Sequence, residues 1–96
     1  MTAEPKVVLQ LPMSNAALLP VFVETCMAEN VSLIAVVGEG CQEVEDQIDG
    51  LIVGDGTDDS RFITTSSHPD ETLDEVVEFA TAWRIKADGP TKVVRL

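Results

Sequence analysis

Apolar and polar positions follow two periodicities along the chain, and these predict strands and helices in turn. Runs of β-branched and apolar residues at 6–11 and 31–37 are typical of buried strands. Elsewhere apolar residues recur at intervals of three and four, as they do on one face of a helix. The predicted helices run from Ser14 or Asn15 to about Asn30, from Cys41 to about Ile52, and beyond His68.

Two later segments complete a predicted sheet. Residues 61–65 are expected to form a third strand, and 92–96 a short fourth strand at a sheet edge. Strand and helix then alternate three times, which favours parallel pairing through right-handed crossovers. We therefore expect an α/β fold, a small three-layer sandwich with a mostly parallel four-stranded sheet in the order 2-1-3-4 and three helices. Residues 1–5 are expected to be a flexible tail, and 6–96 a single domain.

The first predicted helix contains Pro20, which is unfavourable inside a helix. Proline removes one backbone hydrogen bond there and clashes with the preceding turn. Either the helix kinks at Pro20 or its regular part begins there. The apolar stripe that its spacing predicts consists of Leu18, Val21, Phe22, Thr25 and Cys26.

The net charge of the chain limits the classes of partner that it is expected to bind. The chain has 17 acidic and 6 basic residues, for a net charge of −11 and a pI near 4.1. Such a field repels phosphate backbones and anionic lipids, which argues against nucleic-acid and membrane binding. It attracts basic protein surfaces, although acidity can also serve solubility alone. With two cysteines, Cys26 and Cys41, no apparent signal peptide and no long apolar run, we expect a reduced, cytoplasmic protein.

The predicted topology brings three strand-to-helix segments to one edge of the sheet, at 12–15, 38–41 and 64–71. Ligands of α/β sheets bind at this edge, where helix N-termini present free amide groups. The candidate ligand-binding residues are therefore Ser14, Asn15, Gly38, Thr65, Ser66 and Asp70.

His68, the only histidine, has two interpretations. It can serve as a general base or a metal ligand, because imidazole changes its protonation near neutral pH. It can instead be a structural residue in the first turn of a helix, with Ser67 as the N-cap and Asp70 completing a capping-box-like pair. The sequence alone favours the structural interpretation.

Cys41 also has two interpretations. A cysteine at a helix N-terminus can be an activated thiolate, but four carboxylates surround this one in the sequence, so we favour a structural, half-buried residue. Cys41 and His68 with Asp70 or Glu71 would suit zinc chemically, yet no spacing places three of them on one centre. We predict no metal and no cofactor. No complete phosphate-binding loop, dinucleotide fingerprint or nucleophile elbow is present.

Two motifs in these segments resemble a family of small, uncharacterised bacterial α/β domains. The first has a glycine, then a cysteine with aspartates five and eight residues later, which here are Gly38, Cys41, Asp46 and Asp49. The second is a threonine-rich strand that leads into a histidine and acidic residues, which here are Thr64, Thr65, His68, Asp70 and Glu71. An aromatic residue usually precedes this histidine in the family, whereas this chain has Ser67. The resemblance implies that Cys41, Asp46, Asp49, His68 and Glu71 form one signature, without an assigned activity.

Two functional hypotheses follow. The leading one is a small acidic binding or regulatory module, antitoxin- or immunity-like, that engages a basic protein through Asp46, Asp49, Asp58 and Asp59. The alternative is a small enzyme, or a sensor of a ligand or metal, with Cys41, His68 and Glu71 as candidate catalytic residues. Whether the protein is an enzyme stays open at this point. A weak homodimer through the edge strand at 92–96 is a third alternative.

Overall fold

The computed structural model describes residues 5–54, 63–83 and 91–96. Its strands are β1 (Lys6–Gln10), β2 (Leu33–Val37), β3 (Thr64–His68) and β4 (Thr91–Val94). Its α-helices are α1 (Leu19–Ala28), α2 (Cys41–Val53) and α3 (Leu73–Ala82), and a short 3-10 turn at Ala16–Leu18 precedes α1. Every strand pairing is parallel, so the predicted α/β class is confirmed.

The order of the strands is β3-β2-β1-β4, which corrects the predicted order 2-1-3-4. β2 lies between β1 and β3, and β4 pairs with the other side of β1. The reason is hydrophobic burial: all five residues of β2 are buried, so β2 requires neighbours on both sides. β3 consists of hydroxyl residues and a histidine, and it lies at the edge, where polar side chains remain partly hydrated.

The helices cover both faces of the sheet, which confirms the three-layer sandwich. Right-handed crossovers from β1 to β2 and from β2 to β3 run in one direction, so α1 and α2 share one face. The return from β3 to β4 places α3 on the opposite face. The core therefore has two parts, one around Leu9, Ile34 and Ile48 under α1 and α2, and one around Val8 and Val76 under α3.

α1 begins at Leu19 with Pro20 in its first turn, so the second of the two alternatives for Pro20 is correct. The stripe predicted for this helix is wrong in part. Leu19, Val23 and Cys26 are buried, whereas Leu18 and Val21 are 44% and 64% exposed. Because α1 is apolar on most of its sides, spacing alone does not identify the face that meets the sheet.

β3 extends to His68, beyond the predicted end at Thr65, because the hydroxyl cluster belongs to the strand and not to the loop after it. Residues 61 and 62 of the predicted strand lie outside the described residues. Ile63 is buried just before the strand, and His68 is its last residue. A turn at Pro69 and Asp70 then separates β3 from α3. His68 is therefore a strand residue, and neither Ser67 nor Asp70 caps a helix.

The N-cap of α3 is Thr72, which forms a full capping box with Glu75. Thr72 Oγ1 accepts from the Glu75 amide at 3.2 Å, and Glu75 Oε1 accepts from the Thr72 amide at 3.0 Å. β4 is an edge strand, as predicted. Residues 1–4 of the predicted tail lie outside the described residues, and the Pro5 carbonyl accepts from the Ser32 amide at 2.9 Å. In the part of the chain that the structure describes, no helix combines the length and apolarity that crossing a bilayer requires.

Candidate functional site

The loops after β2 and β3 form an open pocket of about 430 Å³ at the carboxyl edge of the sheet. They lie side by side because β2 and β3 are neighbours. The pocket is lined by Gly38, Glu39, Gly40, Cys41, Gln42, Glu43 and Pro69. Of the predicted ligand-binding residues, Gly38 alone lines this pocket.

Gly38 allows the loop after β2 to pass close to the end of β1. Its φ of +117° is a backbone conformation that residues with a side chain rarely adopt. A Cβ atom at this position would lie 3.0 Å from Leu11 Cβ and 3.2 Å from the Leu11 carbonyl oxygen. The glycine of the first motif therefore has a packing role as well as a place in the pocket wall.

Ser14 and Asn15 lie in the loop after β1, which is bound to the segment after β4. Asn15 caps the 3-10 turn, since its Oδ1 accepts from the Ala17 amide at 3.2 Å. The Asn15 amide donates to the Leu96 carbonyl at 2.8 Å, and Arg95 Nε donates to the Pro12 carbonyl at 3.2 Å. The structure does not bring these two candidates to the pocket, because β2 separates β1 from β3.

His68 is at the centre of a polar cluster on the α3 face of β3. The residue is 6% exposed. His68 Nδ1 lies 2.7 Å from Glu71 Oε1, and His68 Nε2 lies 2.8 Å from Ser66 Oγ. The ring also packs against Phe79 of α3, with 4.7 Å between ring centroids. His68 and Glu71, two residues of the second motif, are therefore in contact, and Ser66 joins them.

Phe79 was not among the site residues predicted from the sequence. The spacing of residues along α3 does contain a signal for the position of Phe79. Phe79 is three residues after Val76, which is fully buried under the sheet, so it lies near the same face of the helix. Its contact with the last residue of β3 depends on the order of the strands, which the sequence analysis had wrong.

Cys41 lies on the opposite face of the sheet from His68. It is the first residue of α2, is 1% exposed, and packs in the core under α1 and α2. His68 pairs in register with Val37, whose side chain belongs to the core under α3. The hypothesis of one catalytic centre built on Cys41 and His68 is therefore not supported by the geometry. Among the described residues, no group of three His, Cys, Asp or Glu side chains could hold a metal ion.

Cys26, the second cysteine, lies on the buried face of α1. Desolvation by burial raises the pKa of its thiol to about 11, and the nearby Glu29 carboxylate adds to the effect. The thiol is therefore protonated at neutral pH, as expected of a structural cysteine.

Thr65 projects from β3 toward α2, away from His68. Its hydroxyl lies 2.5 Å from Asp49 Oδ1 and 3.1 Å from Glu45 Oε2. A hydroxyl carries one proton, so it donates to one of these carboxylates at a time or divides its hydrogen bond between them. Thr65 thus links β3 to α2. Glu45 was not among the predicted site residues, although Glu45 lies four residues before Asp49 on the same face of α2.

The remaining acidic candidates are at the surface or outside the described residues. Asp46 is exposed on α2, and Asp70 is exposed in the turn after β3. Asp58 and Asp59 lie outside the described residues.

Comparison with known protein families identifies the family of this chain. A family model described as a domain of unknown function, DUF7684, matches residues 7–94, so the chain belongs to the DUF7684 family. The expected membership of an uncharacterised family is confirmed. No curated protein and no solved structure matches the chain.

Proposed function

We propose that this DUF7684 domain is a binding module that engages a basic protein through one acidic side. The observation that carries the proposal is the separation of charge across the sheet. Most exposed carboxylates of the described residues follow β2 and β3 in the chain, on α2 and the loop before it and on the turn and helix after β3, whereas the described cations lie on β1 and within or after β4. We call the carboxylate-bearing surface the acidic side. It consists of Glu39, Glu43, Asp46, Asp49, Asp70, Glu71, Asp74, Glu75 and Glu78.

The described cations do little to neutralise this surface. Lys6 is buried at the start of β1, and its Nζ donates to the Thr81 carbonyl at 3.2 Å, near the C-terminus of α3. Arg95 donates to the Pro12 carbonyl, and Lys92 lies on β4. All three lie toward the β1 and β4 half of the sheet, away from α2 and β3.

A surface of this kind favours one class of partner. Clustered carboxylates with few neighbouring cations speed association with a cationic protein surface, and salt weakens that effect. An antitoxin- or immunity-like role, with a basic effector as the partner, is consistent with the size and charge of the domain. We place the protein in the cytoplasm, in keeping with its two free, buried thiols, Cys26 and Cys41.

The motifs of the family resemblance contribute differently to this proposal. Asp46, Asp49 and Glu71 belong to the acidic side. Cys41 is in the core and His68 is buried, so neither is expected to contact a partner directly. We propose that the aspartates of the signature serve binding and that the cysteine serves packing.

Native mass spectrometry of the protein, gently purified from its host, tests the proposal. The expected result is a stoichiometric complex with a basic protein whose dissociation constant rises with salt concentration. The variant Asp46→Lys should weaken the complex several-fold more than Glu29→Lys, a matched charge reversal at the C-terminal end of α1, outside the acidic side. A bare chain, or equal effects of the two variants, would contradict the proposal.

A further inference from the structure

Ser66, His68 and Glu71 form one continuous chain of hydrogen bonds. It runs from Ser66 Oγ to His68 Nε2 over 2.8 Å, and from His68 Nδ1 to Glu71 Oε1 over 2.7 Å. The sequence of groups is hydroxyl, imidazole and carboxylate, with each ring nitrogen facing the partner that it has in serine acyl-transfer sites. These sites recur on unrelated folds and are recognised by geometry and not by sequence position.

The hydrogen-bonding capacity of each group gives the chain a direction. An ionised carboxylate can only accept, so Glu71 requires the proton of a neutral imidazole to be on Nδ1. Nε2 then carries a lone pair and accepts the hydroxyl proton of Ser66. This is the tautomer in which an imidazole acts as a general base toward a serine. Glu71 thus selects the reactive tautomer of His68.

The surroundings hold the His68 ring in place and leave Ser66 half-buried. His68 is buried and its ring packs against Phe79, which restricts its orientation. Ser66 is half-buried on the α3 face of β3. α3 itself packs across β1, β2 and β4 and reaches β3 through Phe79, so the helix does not lie over Ser66. A small molecule can therefore approach the hydroxyl from this face.

We propose that Ser66 is a nucleophile for acyl transfer, with His68 as its general base and Glu71 as the residue that orients His68. Ser66 Oγ attacks the carbonyl carbon of an ester, and its proton passes to His68 Nε2 as the new C–O bond forms. The bond from the acyl carbon to the leaving oxygen breaks, and that oxygen takes the proton from Nε2. Water then repeats the sequence on the acyl-serine, which releases the carboxylic acid and restores the hydroxyl.

The charge around the site indicates the class of substrate. Glu71 and Asp70 belong to the turn beside the relay, and Asp74 and Glu75 follow in the first turn of α3. Their field repels phosphorylated and carboxylated substrates. The acyl donor is therefore a neutral or cationic ester.

The test uses the purified full chain and the neutral ester p-nitrophenyl acetate as an acylating probe. Release of p-nitrophenol gives the rate, and peptide mass spectrometry locates the acetyl group. The expected result is acetylation of Ser66 and its loss in Ser66→Ala. Ser67→Ala is the matched control, because it removes the neighbouring hydroxyl from the opposite face of the same strand. It should leave the rate unchanged.

The variant Glu71→Gln distinguishes a catalytic role of the hydrogen bonds between Ser66, His68 and Glu71 from a purely structural one. Glu71 is 43% exposed, so the variant should fold, which thermal unfolding can verify. Loss of the orienting carboxylate should slow acetylation by about tenfold, which is a part of the ~10²- to 10⁴-fold that general-base assistance provides. The anionic ester p-carboxyphenyl acetate, with each rate divided by that of its spontaneous hydrolysis, should react more slowly than the neutral ester.

Three results would overturn the proposal. They are a rate of Ser66 acetylation no greater than that of Ser67, an unchanged rate in folded Glu71→Gln, and acetyl groups found only at positions other than Ser66 in the folded chain. Faster normalised reaction of the anionic ester would overturn the substrate class. None of these measurements requires the basic partner, so they are independent of the proposed binding function.

Discussion

Gly38 and Leu11 come so close that a Cβ atom on Gly38 would lie 3.0 Å from Leu11 Cβ. The contact joins the loop after β2 to the end of β1, where the Leu11 amide also donates to the Val37 carbonyl at 2.9 Å. The wall of the pocket between β2 and β3 is therefore supported from the β1 side. A change at Gly38 would displace this support as well as the loop itself.

We expect Gly38→Ala to destabilise the fold by about 1 to 3 kcal/mol, because it combines a positive φ with a contact to backbone atoms. Gly50→Ala is the matched control, since Gly50 lies inside α2 and an added Cβ would meet nothing within 4 Å. That variant should stabilise the protein by about 0.5 to 1 kcal/mol through helix propensity. Urea unfolding of both variants measures the difference, and equal effects would show that the contact with Leu11 is unimportant.

The link between β3 and α2 can be tested at Thr65. Thr65→Val keeps the shape of the side chain but removes the hydroxyl that donates to Asp49 or Glu45. We expect a loss of about 1 kcal/mol in the free energy of unfolding. A double-mutant cycle with Asp49→Ala should give a coupling energy of similar size, measured by urea unfolding. A coupling energy near zero would mean that the hydrogen bond does not stabilise the fold.

Because of the capping box of α3, we expect the stability of the fold to depend on pH in the acidic range. Its hydrogen bonds from Thr72 hold the pKa of Glu75 below its ordinary value of 4.5. A lowered pKa in the folded state contributes stability above the ordinary pKa, and this contribution is lost as the pH falls through the folded value. Thermal unfolding across this range should show a flatter acid response in Thr72→Ala than in the parent protein. A parallel response would exclude the capping box as its source.

At neutral pH, Thr72→Ala should lower the free energy of unfolding by about 1 kcal/mol, the usual cost of losing an N-cap. Thr72→Ser is the control, because serine retains the hydroxyl that caps the helix. Urea unfolding at pH 7 should therefore show a smaller loss for Thr72→Ser than for Thr72→Ala.

The raised pKa of Cys26 leads us to expect that the free energy of unfolding falls at alkaline pH. Burial raises the pKa of its thiol from 9.0 to about 11. A raised pKa means that the contribution to stability is fully present below the unfolded value and is lost as the pH rises from 9.0 toward 11. The loss from this thiol should be at most about 3 kcal/mol. Cys26→Ala should be less stable at neutral pH but lose less stability across this range in urea unfolding, and an unchanged alkaline slope would contradict the assignment.

The periodicity of apolar residues was enough to predict the elements of this fold but not their arrangement. α2 shows the success, because Val44, Ile48 and Ile52 lie on the buried face that their spacing predicts. The order of the strands was wrong, although a signal was present. A strand as apolar as β2 belongs in the centre of a sheet, and a strand of hydroxyl residues such as β3 belongs at an edge.

The candidate site was predictable only where its contacts are local. His68 and Glu71 are three residues apart, and the sequence motif placed them together. The contact of His68 with Phe79, and that of Thr65 with Glu45, join different elements and depend on the order of the strands. Whether Cys41 lies near His68 was left open for the same reason, since the face of the sheet on which Cys41 packs follows from topology and not from its distance in sequence to His68.

The pairing of β1 with β4 has a consequence for synthesis on the ribosome. β1 is the first strand to leave the exit tunnel, and its partner on one side is the last element of the sheet. Until residues 91–94 emerge, β1 is an edge strand with unpaired backbone groups, and Val8 and Leu9 lack their neighbours in β4. The nascent domain therefore has an unpaired apolar strand while its first three strands are made, and β1 gains its second neighbour only when β4 has emerged.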